Sequence, residues 1–349
     1  MLGDSSDQVV PTNRSLVLLT WEDYMAEEVL RGFQEATGIE VIYETFETGE
    51  ELEARLQSDG GRYDLVILDG LRMANLIELQ LLRELDHDAL SNRGNIESRF
   101  LDLHFDPGNR FTFPYTWGST LVAYRSDKLD NVKESWSSLW DESYRDRVYL
   151  LDDPVDCLYS AFYKRGANVS SLSPQTFEDA RVDLLDLVDK IRPVFSSDEG
   201  VRDALRSGDA WIAQCYSGDA AMLASEGVPL SWFIPEEGAP LWVDNFAIPR
   251  DSKQPEAAHR FINFLLTAEA AAANSNYLWC ATPNEAAVPF FDEKLKADQT
   301  IYPPQNILVL CKFPRSLTLE QEKLANETWR HVRTASKAGF AAVKTIASP

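Results

Sequence analysis

The feature that most constrains this chain is the alternation of strand and helix signals across its first hundred residues. Residues 15–20 (SLVLLT) are a short apolar run, and residues 26–37 carry Val29, Leu30 and Phe33 at helical spacing, with Gly38 where a C-cap belongs. Residues 39–46 (IEVIYETF) are β-branched and aromatic, and Thr48 with Glu51 fits a capping box at the start of a helix over 48–57. Asp59-Gly60-Gly61 interrupts the chain before another buried strand at 63–68 (YDLVIL). This βαβαβ rhythm predicts a mostly parallel sheet with helices on both faces.

Residues 111–125 (FTFPYTWGSTLVAYR) are extended and aromatic, and are expected to cross between lobes. A second α/β run follows: a strand at 148–151 leading into Asp152-Asp153-Pro154, helical stretches over 174–191, and a strand at 211–216. The chain then returns through a strand at 245–249, a helix at 255–266 and a last amphipathic stretch at 317–341. At 349 residues it can hold two domains with substantial cores. It shows neither repeats nor a low-complexity linker, as expected of two lobes joined by several crossings.

Composition narrows the function. With 56 acids against 33 bases the formal charge is −23, which disfavours nucleic acid and anionic lipid and favours cations, although acidity also serves plain solubility. No stretch approaches the roughly 18–20 apolar residues of a membrane span. The first residues lack the basic and apolar regions of a signal peptide, and 1–14 read as a flexible polar tether, as in an exported protein or lipoprotein without its leader. Cys157, Cys215, Cys280 and Cys311 form no CxxC pair, so a zinc or redox centre is not expected; a disulfide cannot be assigned by spacing, and buried inert thiols are the expectation. Nucleotide, zinc-protease and serine-hydrolase motifs are missing, and His87, His104, His259 and His331 read as isolated surface residues. Neither catalytic residues nor a cofactor or metal site is expected. An aspartate pair such as Asp153 and Asp156 leaves a carboxylate-dependent hydrolase as the enzymatic alternative.

In open α/β sheets ligands bind beyond the carboxyl ends of the strands. The residues at the predicted strand ends are Trp21, Glu22, Asp23 and Tyr24; then Asp69; then Asp152, Asp153 and Asp156; then Tyr216 and Ser217; and, ahead of the returning strand, Trp242 and Asp244. Carboxylates and aromatics recur there while lysine and arginine do not. Ammonium groups bind carboxylates through charge-assisted hydrogen bonds, and cations and methylenes lie against aromatic rings. A polyamine asks for both. Singly, each tryptophan has a core explanation and each aspartate a helix-capping one, so the joint placement carries the reading. A receptor for an amino acid would need an arginine aimed at the ligand carboxylate, and none stands at these ends.

Several segments resemble bacterial spermidine/putrescine-binding proteins: Trp21-Glu22-Asp23-Tyr24, Tyr63-Asp64-Leu65-Val66, Pro114-Tyr115-Thr116-Trp117-Gly118, Trp136-Ser137-Ser138-Leu139-Trp140, Leu151-Asp152-Asp153, the run from Trp242 to Pro249, the run from Ile262 to Leu266, and Thr282-Pro283-Asn284. The resemblance runs from about Ser15 to Tyr302 in one order. It implies a two-lobe α/β periplasmic binding protein fold (type II-like). Each lobe would be a mixed sheet flanked by helices, with the ligand in the interlobe cleft. Residues 15–124 and 245–296 would form the first lobe, and 125–244 and 297–349 the second. It further implies a periplasmic receptor that hands a polyamine to the membrane permease of an ABC importer; a monomer is the default expectation for a lone receptor, and the polar start of the chain suits a lipid anchor. The ligand contacts it implies fall on Trp21, Asp23, Tyr24, Asp153, Asp156, Tyr216, Trp242 and Asp244. Departures occur at Glu22, at Asp69 and Leu71, where a small hydroxyl residue and a tyrosine are usual, and at Cys280, which replaces a tyrosine. Glu22, Asp69 and Cys280 thus join the candidate contacts, with the extra acids meeting a more cationic ligand, solvent or an internal base. The alternative within binding proteins is another small solute on the same scaffold.

Overall fold

The computed structural model describes residues 15–346; the expected tether at 1–14 lies outside them. Strand β1 (Ser15–Thr20), helix α1 (Glu27–Thr37), β2 (Glu40–Thr45), α2 (Gly49–Asp59), β3 (Leu65–Asp69) and α3 (Gly70–Glu78) follow in the anticipated order. Helix α1 stops because Gly38 takes a φ of 71°, where its N–H reaches the Gln34 carbonyl at 2.7 Å. Thr48 caps α2 through the Glu51 amide. The Glu51 carboxylate accepts from the Glu47 amide at 2.9 Å instead of returning to Thr48, so only half of the expected box forms.

Strand β1 lies between β2 and β3, all parallel. Leu16, Leu18, Leu65 and Ile67 enter the larger core, whereas Leu19, Val66 and Leu68 enter a smaller one across the sheet with Phe46, Leu52 and Met73. Burial on both faces is why these strands read as unbroken apolar runs. Each such side chain contributes roughly 1.5–3 kcal/mol on burial. Asp64 of the Tyr-Asp-Leu-Val segment is buried for structure: it accepts from the Val17 amide (3.0 Å), Ser252 Oγ (2.8 Å) and the Lys253 and Gln254 amides (3.2 and 2.9 Å).

Strand β4 (Thr112–Arg125) leads to the second lobe: β5 (Val148–Leu151), α4 (Pro154–Lys164), α5 (Pro174–Lys190), β6 (Val194–Ser196), α6 (Asp198–Ser207), β7 (Ile212–Tyr216), α7 (Ser217–Ser225) and β8 (Leu230–Phe233). Then come β9 (Leu241–Ala247), α8 (Pro255–Leu265) and α9 (Ala268–Leu278), and the final helix, Leu319–Ile346, packs on α5 and α4. The strand order is β2-β1-β3-β9-β4-β7-β5-β6, with β8 also on β4. The sheet is mixed rather than mostly parallel, because β9 returns antiparallel to both β3 and β4, and β4 runs antiparallel to β7.

Strand β4 is the seam. Its residues 112–119 pair with β9 and its residues 120–124 with β7, so one strand serves both lobes. The returning strand starts at Leu241 rather than at 245, and the expected lobe break at 244/245 falls inside it. It ends before Pro249, which has no N–H to extend a ladder. Two smaller expectations resolve here as well. His259 is buried, not superficial: its Nε2 accepts from the Asp86 amide at 2.8 Å while Nδ1 donates to the Pro255 carbonyl at 2.7 Å. All four cysteines are free thiols, three buried and Cys280 partly so.

Candidate ligand-binding site

Helices α3, α4 and α7 begin directly after β3, β5 and β7, so the carboxyl ends of these strands carry short polar segments towards the seam. On β4, residues Thr116, Gly118 and Thr120 alternate onto one face. Their cross-strand partners are Asp244, Trp242 and Tyr216 respectively. Directly opposed residues share a face, so acid, indole and phenol line up along the seam. Thr116 and Thr120 are separated by roughly 13 Å at about 3.3 Å per residue. Gly118 is required between them, since a Cβ there would overlap the Trp242 ring. The Tyr216 and Trp242 rings meet edge to face, 5.9 Å apart.

Each end of this row is a carboxylate that accepts from a tyrosine hydroxyl, with a β4 threonine beside it. At one end the Tyr24 hydroxyl donates to Asp244 Oδ2 and lies 3.0 Å from Thr116 Oγ1. At the other, Tyr216 Oη and Thr120 Oγ1 donate to the two oxygens of Asp156, each at 2.9 Å. Burial, reinforced by Asp69, pushes Asp244 up to about 7, against the hydrogen bond from Tyr24 and the charge of Arg72. Burial, reinforced by Asp153, likewise pushes Asp156 up to about 7. Both carboxylates therefore lack a full counter-charge, and a bound cation would draw them to the ionised form. Trp242 Nε1 is buried between them with no acceptor among the described residues.

Asp69 and Asp153 sit differently. Each is an N-cap: Asp69 Oδ1 accepts from the Arg72 amide (3.0 Å), and Asp153 Oδ1 from the Val155 and Asp156 amides (2.7 and 3.1 Å). Their remaining oxygens both receive the Arg72 guanidinium, Nη1 on Asp69 Oδ2 and Nη2 on Asp153 Oδ2, at 3.0 Å each. An arginine does stand in the cleft, contrary to the expectation that none would. It was not legible because it lies in the first turn of α3, three residues beyond the strand end, and reaches back.

The other candidates surround this arrangement without joining it. Trp21 is half-buried, stacks obliquely on Phe46 with centroids 4.3 Å apart, and lends its carbonyl to the Tyr43 hydroxyl at 2.7 Å. Glu22 and Asp23 are exposed, and Asp23 adopts a positive φ of 52°. The Cys280 thiol is pushed up by burial, with Asp219 and Asp244 adding to it, and stands where α7 approaches most closely: a Cβ on Gly218 would lie 2.8 Å from the Trp279 carbonyl and 3.1 Å from Cys280 Sγ. Thr116, Gly118, Thr120 and Arg72 were not anticipated. A period-2 reading of the PYTWGST run would have found the first three.

Two α/β lobes sharing one long strand, with a charged and aromatic face at their junction, define a two-lobe solute receptor. Residues 28–303 match the family described as bacterial extracellular solute-binding protein, and the chain belongs to that family. It is 30% identical over 334 residues to the putrescine/cadaverine-binding protein of Pseudomonas aeruginosa, covering 91% of this chain and 93% of that one. It is 30% identical over 293 residues to the spermidine/putrescine-binding periplasmic protein of Salmonella typhimurium, 83% and 84% of the respective chains. The crystal structure of the spermidine/putrescine ABC transporter substrate-binding protein PotD from Streptococcus pneumoniae superposes with a TM-score of 0.83 at 29% identity, over 93% of this chain and 99% of that one.

Proposed function

We propose that this protein captures a polyamine, putrescine or spermidine, in the interlobe cleft and delivers it to an ABC importer. The observation that carries the reading is the row along the seam, in which two under-compensated carboxylates, Asp244 buried and Asp156 partly so, flank an indole. A diamine is the complementary object, with a cation at each end and methylenes between. Its ammonium groups would ionise Asp156 and Asp244, each charged hydrogen bond contributing about 1.5–3 kcal/mol. A cation held against a desolvated ring adds about 2 kcal/mol. Trp21, Glu22 and Asp23, on the segment leading into Tyr24, and Cys280 form an outer rank of contacts in this reading. The relatives named for putrescine and spermidine support it.

On the same reading the lobes close over the ligand, and the closed form docks on a membrane permease without any catalytic step. The protein works outside the cytoplasm, as a monomer and lipid-anchored. The strand pairing supports lobes that exchange near residue 120, with 241–247 belonging to the first. An amino-acid ligand is disfavoured because the charge of Arg72 is already matched by Asp69 and Asp153.

Isothermal titration of ligand-stripped protein with putrescine, spermidine, arginine and glutamate tests this. One-to-one saturable binding of a polyamine, weakened by salt, is expected, with neither amino acid bound. A folded protein that takes no polyamine would sink the reading.

A further inference from the structure

Four carboxylates from both lobes converge on the seam: Asp69, Asp153, Asp156 and Asp244. Two of them are already served by a cation that belongs to the protein. Arg72 donates to Asp69 and Asp153 at 3.0 Å, and the other oxygen of each caps a helix, so neither has an oxygen left without a donor. Among the described residues, Asp156 and Asp244 receive only hydroxyl donors. Resting on the polyamine reading above, we propose that Arg72 is a specificity-determining residue. Acting as a tethered cation, it fills one cationic position of the cleft and tunes the protein to a diamine over longer polyamines.

The guanidinium is held in place by more than its charge partners. Its aliphatic stem crosses Gly49 at the start of α2, where a Cβ would overlap Arg72 Cδ and lie 2.6 Å from Nε. Gly49 has no positive φ, so its lack of a side chain serves this crossing rather than a turn. A planar, always protonated fork presents its donors to the two carboxylates in fixed directions, which a flexible ammonium does not. The third ammonium of a triamine would find the next pair of acids taken and the guanidinium facing it. Like-charge opposition of this kind discriminates between ligands that share their other contacts.

The test measures the ratio of putrescine to spermidine affinity by calorimetry at pH 8 in the full protein, with a thermal melt as the folding control. Wild type should prefer putrescine. Arg72→Gln should shift the ratio towards spermidine by about tenfold or more, since it frees two carboxylates. Gly49→Ala, which displaces the stem while leaving every cleft acid and the arginine charge in place, should move the ratio the same way by less. An unmoved ratio in Arg72→Gln, or a wild type that prefers spermidine, overturns the inference and leaves the polyamine reading standing. If Arg72→Gln does not fold, Gly49→Ala decides, and an unmoved ratio there overturns it. Failure of folded wild type to bind either amine overturns both.

Discussion

The pair Asp69 and Asp153 and the pair Asp156 and Asp244 occupy the same few turns of the molecule and have opposite characters. The first pair caps helices and holds a guanidinium, so its charge is compensated within the fold. The second pair faces tyrosine and threonine hydroxyls, and burial pushes both members up to about 7. A hydroxyl donates one hydrogen bond but no charge. Proximity to the cleft is therefore a poor guide to role. What separates the two sets is whether the protein supplies its own counter-charge, and only the unsupplied set has free energy to gain from a cation.

The sharpest way to break this contrast is Asp244→Asn and Asp156→Asn. Each should weaken putrescine binding by about 10–100-fold, matching the worth of a hydrogen bond to a charged group, and calorimetry at pH 8 reads it. Equal affinity in Asp244→Asn would remove that residue from the site. Trp242→Leu comes next, with a loss of about tenfold or more if the indole face carries the cation–π contact. A loss confined to stability would return Trp242 to the core.

Proton linkage sharpens the comparison further. Asp156 and Asp244 titrate near 7 when folded but near 3.8 by ordinary value, so ligand-free protein binds their protons across that window. Raised carboxyl values mean that these groups favour the fold below about 4 and lose that contribution as pH rises to 7. Binding a cation requires the opposite, ionised form. Affinity should thus climb from pH 5 to 7 by about tenfold per unit for each carboxylate that must release a proton, then level off. Titration in buffers of different ionisation enthalpy would show the released protons, and a flat profile would contradict the assignment.

The smallest effect is expected from the compensated pair. Asp153→Ala should cost about 1 kcal/mol of stability through the lost cap, read as a lowered Tm. Its putrescine affinity should change less than that of Asp244→Asn. If the order of these two variants is reversed, Asp153 is itself a ligand contact.

Much of the fold was readable from local pattern. The capping glycine after α1, the apolar runs of β1 and β3 and the long β4 all follow from spacing and residue type, because each is decided by the nearest few residues. The returning strand was misplaced by four residues at its start, since Leu241, Trp242 and Val243 are extended only by virtue of pairing with β4. His259 looked superficial until α8 packed it beneath Asp86. Asp23 stands beside Tyr24 among the contacts implied by the resemblance, yet Asp23 is exposed while Tyr24 turns inward to Asp244.

The sequence alone therefore determined an acidic two-lobe α/β chain whose strand ends collect carboxylates and rings, because these properties reside in composition and short-range periodicity. Which acids stay uncompensated was decided only in the tertiary structure. It depends on the register that sets Asp244 opposite Thr116 and Tyr216 opposite Thr120, and on one arginine reaching across the seam to Asp153. Charge compensation is a matter of a few ångströms between residues far apart in the chain, and no local pattern encodes that distance.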